Sequence, residues 1–181
     1  MKNANPVSRE FSVILFSLVM LLSGGCGKSE PAVAAEPKTV KDWFEVSVGN
    51  QTVSMQLALS DSEMQQGLMG RRDLETGQGM MFIYPYPTVM SFWMRNTPTA
   101  LVIGYFSADG VLREIYPLHP FDERPVRSKR GDLLFALELL QGGYAELGIK
   151  PGAQLDLDAL RAAVLARGYE PSSYRGFAER E

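Results

Sequence analysis

Apolar residues follow two regimes along the chain. Residues 11–22 form a predominantly apolar run interrupted only by Ser12 and Ser17, whereas from residue 43 onward short alternating segments are separated by Gly, Pro, Asn and Asp. Period-two alternation marks half-buried strands. Residues 43–48 and 52–59 flank Gly49-Asn50-Gln51 and predict a hairpin, with Val53, Met55, Leu57 and Leu59 on one face. Ser60, with Glu63 three residues later, is a capping box that opens a short helix, closed by Gly67 and Gly70 before a loop over 71–79. Residues 80–84, 89–94, 101–107, 111–116 and 133–140 read as further strands, with Ala108-Asp109-Gly110 as a hairpin turn. A helical turn or two over 141–147, a strand over 154–157 and a helix over 158–167 complete the pattern. The polar end after Gly168 reads as an extension outside the core. Many strands and few helices predict a mainly β (α+β) domain, a small antiparallel barrel-like or sandwich fold with two or three short helices.

The run over 11–22 is about 18 Å long as a helix, short of the roughly 30 Å hydrocarbon core it would have to span. Lys2 and Arg9 precede it and Ser23-Gly24-Gly25-Cys26 follows it, the layout of a secretion signal ending at a lipid-modifiable cysteine. Ser23 stands where such signals usually carry Leu, and Ala32-Val33-Ala34 offers a competing ordinary cleavage site far from the run. The expected organisation is a signal over 1–26 with Cys26 as lipidation site, a flexible tether over 27–41, one domain over 42–158, and a C-terminal helix and polar tail over 159–181. The protein would then be exported and held to a membrane by lipid, facing the periplasm in a cell with two membranes.

Composition narrows the chemistry. Cys26 is the single cysteine and its thiol would be consumed by lipid, so neither a disulfide within the chain nor a thiol nucleophile is expected. His119 is the single histidine, which leaves too few His and Cys for a usual zinc site. It stands in a turn-rich stretch, and no Ser lies in a nucleophile-elbow sequence to partner it. From residue 27 onward there are 16 basic and 20 acidic residues, a balance that disfavours nucleic acid as a partner. No cofactor motif or metal-ligand spacing is present. The basic loop of Arg124, Arg127, Lys129 and Arg130 reads either as a solvated loop or as an anion or lipid contact.

Candidate binding residues cluster after an aromatic strand. Phe92, Trp93 and Met94 are followed by Arg95-Asn96-Thr97-Pro98, so that Phe92 and Met94 share one strand face and Trp93 takes the other. An apolar floor with a few placed polar groups is what a ligand pocket requires, although the same residues can close a turn before Pro98. Glu138 interrupts the apolar stretch 133–140, and a charge there must be paired or face a cavity. Arg71 and Arg95 are its candidate partners in a structural ion pair; otherwise Glu138 is a binding or catalytic carboxylate. The other carboxylates considered, Asp73, Glu75, Asp109, Asp122 and Glu123, all lie in turns.

Several segments carry a resemblance: Glu63-Met64-Gln65-Gln66-Gly67-Leu68-Met69-Gly70-Arg71, Gly79-Met80-Met81-Phe82, Phe92-Trp93-Met94-Arg95-Asn96-Thr97, Leu137-Glu138-Leu139 and Gly148-Ile149-Lys150-Pro151-Gly152. Over about residues 46–157 the chain resembles the bacterial and archaeal family called domain of unknown function 192. The resemblance implies a compact, mostly β domain, often exported, and no assigned activity. The chain departs from the usual family pattern at Val102 and Ala153, where many members carry Asp.

The expected function is a small binding or accessory module of the cell envelope, with a small-molecule or envelope-protein partner and a pocket built from Trp93, Arg95, Asn96, Arg71 and Glu138. One alternative is a small hydrolase using Glu138, which would need a second carboxylate within about 10 Å across a cleft. Another is a copper-binding protein using some of Met55, Met64, Met69, Met80, Met81, Met90 and Met94, since thioethers bind Cu(I), although packing explains methionines equally well. A domain that only docks a partner, with no pocket, is the remaining reading.

Overall fold

The computed structural model describes residues 36–177. The expected signal, Cys26 and most of the expected tether lie outside the described residues. The tether's last residues are held: Lys38 donates its backbone N–H to Ala166 O at 2.8 Å, and Asp42 accepts from the Thr39 N–H at 2.6 Å.

The elements are β1 (Phe44–Val48), β2 (Gln51–Ala58), α1 (Asp61–Gln66), β3 (Gln78–Thr88), β4 (Ser91–Phe92), β5 (Leu101–Ser107), β6 (Leu112–Leu118), β7 (Val126–Arg127), β8 (Leu133–Leu140), α2 (Gly143–Glu146) and α3 (Leu157–Ala166), followed by a 3-10 turn (Pro171–Ser173). Six strands form one sheet in the order β1-β2-β3-β8-β5-β6, and β4 pairs with β7 in a small second sheet. All neighbours are antiparallel except β2 and β3, which the crossover through α1 makes parallel. The sheet is therefore mixed, and it is sandwich-like, with β1 and β6 as edges, instead of closing into a barrel.

Strands β3, β5 and β8 lie at the centre, and their apolar residues fill both faces. One face carries Leu57, Met81, Ile83, Leu137 and Leu139 beneath α2, α3 and the chain end. The opposite face carries Met80, Phe82, Ile103, Tyr105 and Ala136 beneath Leu68, Met90, Phe92 and Met94. Burial on both faces explains why these strands read as nearly continuous apolar runs.

Three expectations are corrected. The strand over 89–94 contracts to Ser91–Phe92, because the chain turns at once to bond Met94 N–H to Asp122 O at 2.8 Å. The strand over 154–157 is reduced to single bridges, from Gln154 to Val111 just before β6 and from Leu155 to Val48 of β1, and Leu157 already belongs to α3, capped by Asp156. The described part of the end after Gly168, residues 169–177, is not outside the core. Tyr174 is 6% exposed and Phe177 2%, and the Phe177 ring meets Phe135 edge-on at 5.2 Å. Tyr174 and Phe177, with Tyr169 partly buried against the same core, fold it back, since burying each removes a large apolar surface from water.

Candidate functional site: a cleft ending at a buried carboxylate

Helix α1 begins as its sequence dictates. Ser60 Oγ accepts the Glu63 N–H at 3.4 Å, and Glu63 Oε2 accepts the N–H groups of Leu59 and Ser60 at 2.9 and 3.2 Å. The helix ends at Gly67, whose φ of 44° suits a residue without Cβ. The chain beyond it is tied to the 91–97 segment, because the Gly70 N–H donates to Asn96 O at 3.0 Å. Asn96 has a φ of 53°, a left-handed conformation that Asn tolerates better than most residues. Thr97 is buried and its hydroxyl donates to Arg95 O at 3.1 Å. These bonds set α1 and the 91–97 segment as the two walls of a cleft.

Phe82 and Phe92, packed edge-to-face at 5.0 Å, line the inner part of the cleft. Glu138 lines it too. On β8 it stands between Met80 of β3 and Ile103 of β5, so its side chain leaves the sheet on the face that α1 and the 91–97 segment cover. The inner cavity measures about 40 Å³ and the outer part about 270 Å³. Gln65, Gln66, Met69 and Trp93 line both parts, while Arg95 and Asn96 line only the outer one.

Glu138 is 4% exposed. Among the described residues no hydrogen bond or ion pair reaches its carboxylate. Burial, with nothing to offset it, pushes its pKa up to about 8, so the carboxyl is predominantly protonated at neutral pH. The same burial raises the phenols of Tyr84 and Tyr105, and the charge of Glu138 adds to both shifts.

The structure brings Trp93 and Glu138 to the inner cavity and Trp93, Arg95 and Asn96 to the outer part. Trp93 is 43% exposed, and the Arg95 guanidinium lies 5.5 Å from its ring centre. Arg71 is separate. It donates to Asp73 at 2.6 Å and to Gln56 at 2.8 Å, lies 5.8 Å from the Trp43 ring centre, and lines a neighbouring depression of about 260 Å³ instead of the cleft. The expected ion pair between Glu138 and Arg71 or Arg95 is therefore not formed; Arg71 has nearer partners, and Arg95 stacks on Trp93. Gln65, Gln66 and Met69 were missing from the sequence-based site, although the motif containing Gly67 and Leu68 runs through them. Met64 and Met69 line the inner cavity, whereas Met55, Met80, Met81, Met90 and Met94 are buried in the packed faces. Among the described residues no three His, Cys, Asp or Glu side chains converge as metal ligands. In the basic loop, Arg124 pairs with Asp122 at 2.6 Å and Arg130 with Asp132 at 2.5 Å.

Sheet and cleft together define a small β-rich domain with a preformed recess, its walls mixing aromatic and Met side chains with amides and its foot carrying a carboxyl group. The chain belongs to the domain of unknown function 192 family (DUF192, described as Uncharacterized ACR), whose sequence model matches residues 44–157. No curated protein matches the chain significantly. Among solved structures it is similar to a Novosphingobium aromaticivorans protein of unknown function, at 32% identity and a TM-score of 0.61, over 72% of this chain and 99% of that one. It is also similar to a Sinorhizobium meliloti protein provisionally described as a transcription regulator, at 27% identity and a TM-score of 0.61, over 66% of this chain and 96% of that one.

Proposed function

We propose that this protein is a small binding module of the cell envelope, anchored to a membrane by lipid on Cys26, and that its ligand enters the cleft between α1 and the 91–97 segment to reach Glu138. The observation that carries the reading is the unpartnered, buried carboxylate at the foot of an open cleft. A polar group so placed costs free energy unless something satisfies it, and fold stability alone would favour an apolar residue there. The aromatic walls and the amides of Gln65, Gln66 and Asn96 suit an organic ligand that needs orientation as well as burial.

Acid/base hydrolysis fits the geometry less well. No second carboxylate lines the cleft among the described residues. Glu63 is held by Arg167 and two backbone N–H groups, and Glu114 by the Tyr116 hydroxyl and the N–H groups of Lys129 and Arg130. The regulator description of the Sinorhizobium protein is not carried over, because a formal net charge of -3 gives no electrostatic basis for nucleic acid binding.

Native mass spectrometry of the protein isolated from the envelope tests the binding reading, with Trp93→Ala and Glu138→Gln beside it. A bound mass lost in both variants is expected; a bare chain in all three samples would count against a resident ligand. An isotope pattern of copper would move the reading to Met64 and Met69. Incorporation of labelled fatty acid into the wild type and not into Cys26→Ser tests the anchor.

A further inference from the structure

The two ends of the cleft differ in charge chemistry. At the inner end Glu138 has no partner. At the outer end the Arg95 guanidinium is exposed and, among the described residues, stacks on Trp93 without a carboxylate beside it. The Trp93 wall is common to both parts. The inner part, about 40 Å³, is much the smaller of the two and ends at Glu138. A compact cation such as a primary ammonium suits this narrow end.

We propose that the ligand is a zwitterion of the amino-acid or peptide-terminus type, which inserts a primary ammonium group against Glu138 and leaves its carboxylate at Arg95. This rests on the binding-module reading above and specifies its ligand class. A hydroxyl or a neutral amide can hydrogen-bond to the protonated carboxyl, but only a cation returns Coulomb energy for ionising it in a low-dielectric site. Binding therefore converts the Glu138 carboxyl into a carboxylate paired with the ammonium, and the displaced proton goes to solvent. The groups that face Glu138 leave this exchange undisturbed: Tyr84 of β3 and Tyr105 of β5 have raised pKa values and stay neutral, as does Tyr144 of α2, which senses its charge across the sheet. Helix α1 presents Met64, Gln65 and Gln66 to the cleft and keeps Glu63 on Arg167. The 91–97 segment brings the single cation, Arg95, at the outer end.

The test is a nuclear magnetic resonance titration of the full chain in nonionic detergent micelles with three matched probes: alanine, alaninamide, which lacks the carboxylate, and lactate, which replaces the ammonium by hydroxyl. The indole N–H of Trp93 is the reporter, and Trp43, which lies over Arg71 outside the cleft, is the internal control. Alanine is expected to shift Trp93 with an affinity that rises close to tenfold from pH 6 to 7 and then levels off toward pH 8, as release of one proton from Glu138 requires. The response should vanish in Glu138→Gln, and Arg95→Gln should bring alanine down to the affinity of alaninamide. Lactate binding as tightly as alanine, or alanine binding Glu138→Gln unchanged, would overturn the ammonium assignment while leaving a binding cleft. Silence of Trp93 toward all three probes would also overturn it; the binding-module reading would then stand or fall on the native mass measurement alone.

Discussion

The guanidinium of Arg167 donates from Nη2 to Glu63 Oε1 at 2.5 Å, joining two residues 104 positions apart. Arg167 closes α3, and Glu63 is the capping carboxylate of α1. The same guanidinium donates to Leu57 O and, at 3.1 Å, to Lys38 O. Four separate segments thus meet on one buried cation, and one of them, α1, is a wall of the cleft.

Replacing Arg167 by Leu would take the cation from the Glu63 carboxylate, leaving it only its two backbone N–H donors, and a donor from the Leu57 carbonyl. The expected loss is roughly 3 to 5 kcal/mol, the usual cost of removing one partner from a buried pair. Urea unfolding of the variant measures it; a loss within error of zero would mean that α1 is not held from the C-terminal side.

Glu63 also sets the acid limit. Burial raises its pKa, but the N–H groups of Leu59 and Ser60 and the charge of Arg167 outweigh burial, and the net shift is downward from 4.5. A depressed folded pKa means that its stabilisation is complete above the unfolded value and disappears as pH falls through the folded one. Stability in the wild type should therefore drop below about pH 4.5 more steeply than in Glu63→Gln, as followed by circular dichroism across pH 2 to 6.

Glu138 works in the opposite direction. Its folded pKa of about 8 exceeds the ordinary 4.5, so between those values the folded state holds a proton that the unfolded chain has released. Its contribution to stability falls as pH rises through that window, by up to about 1.4 kcal/mol per pH unit. Glu138→Gln should match the wild type near pH 5 and exceed it above pH 8. Parallel melting temperatures for the two proteins from pH 5 to 9 would contradict the buried, unpaired state.

Neighbouring aromatic residues of the cleft should separate binding from packing. Phe92 is buried against Phe82, Tyr84 and Tyr105, and Phe92→Ala should cost roughly 3 to 5 kcal/mol. Trp93 is far more exposed, and Trp93→Ala should cost about 1 kcal/mol or less while abolishing retention of the bound mass. Equal destabilisation by the two substitutions would make Trp93 a packing residue.

The chain end is tested by Phe177→Ala. Loss of a ring that is 2% exposed and packed on Phe135 should cost about 3 kcal/mol in denaturant unfolding. A neutral result would return the segment after Gly168 to the surface.

Local rules were legible wherever the determinants sit within a few residues. The Ser60 and Glu63 capping box, the turn at Gly49-Asn50 and the alternation along β2 each depend on neighbours in sequence. Part of the cleft was legible too: a Glu inside an apolar strand is an anomaly at the level of sequence alone. Its lack of a partner was not, because Arg71 and Arg95 were equally plausible until Asp73, Gln56 and Trp93 were seen to claim them.

What the sequence alone determined is therefore the mainly β composition, the family, and the presence of a polar group where the core should be dry. Only the tertiary structure decided that β2 and β3 run parallel, that Phe177 returns to the core, and that α1 and the 91–97 segment close around Glu138 without satisfying it. Those outcomes depend on contacts between residues dozens of positions apart. Pattern and propensity report which face of an element is apolar, but the choice of what covers that face is made by packing over the whole domain.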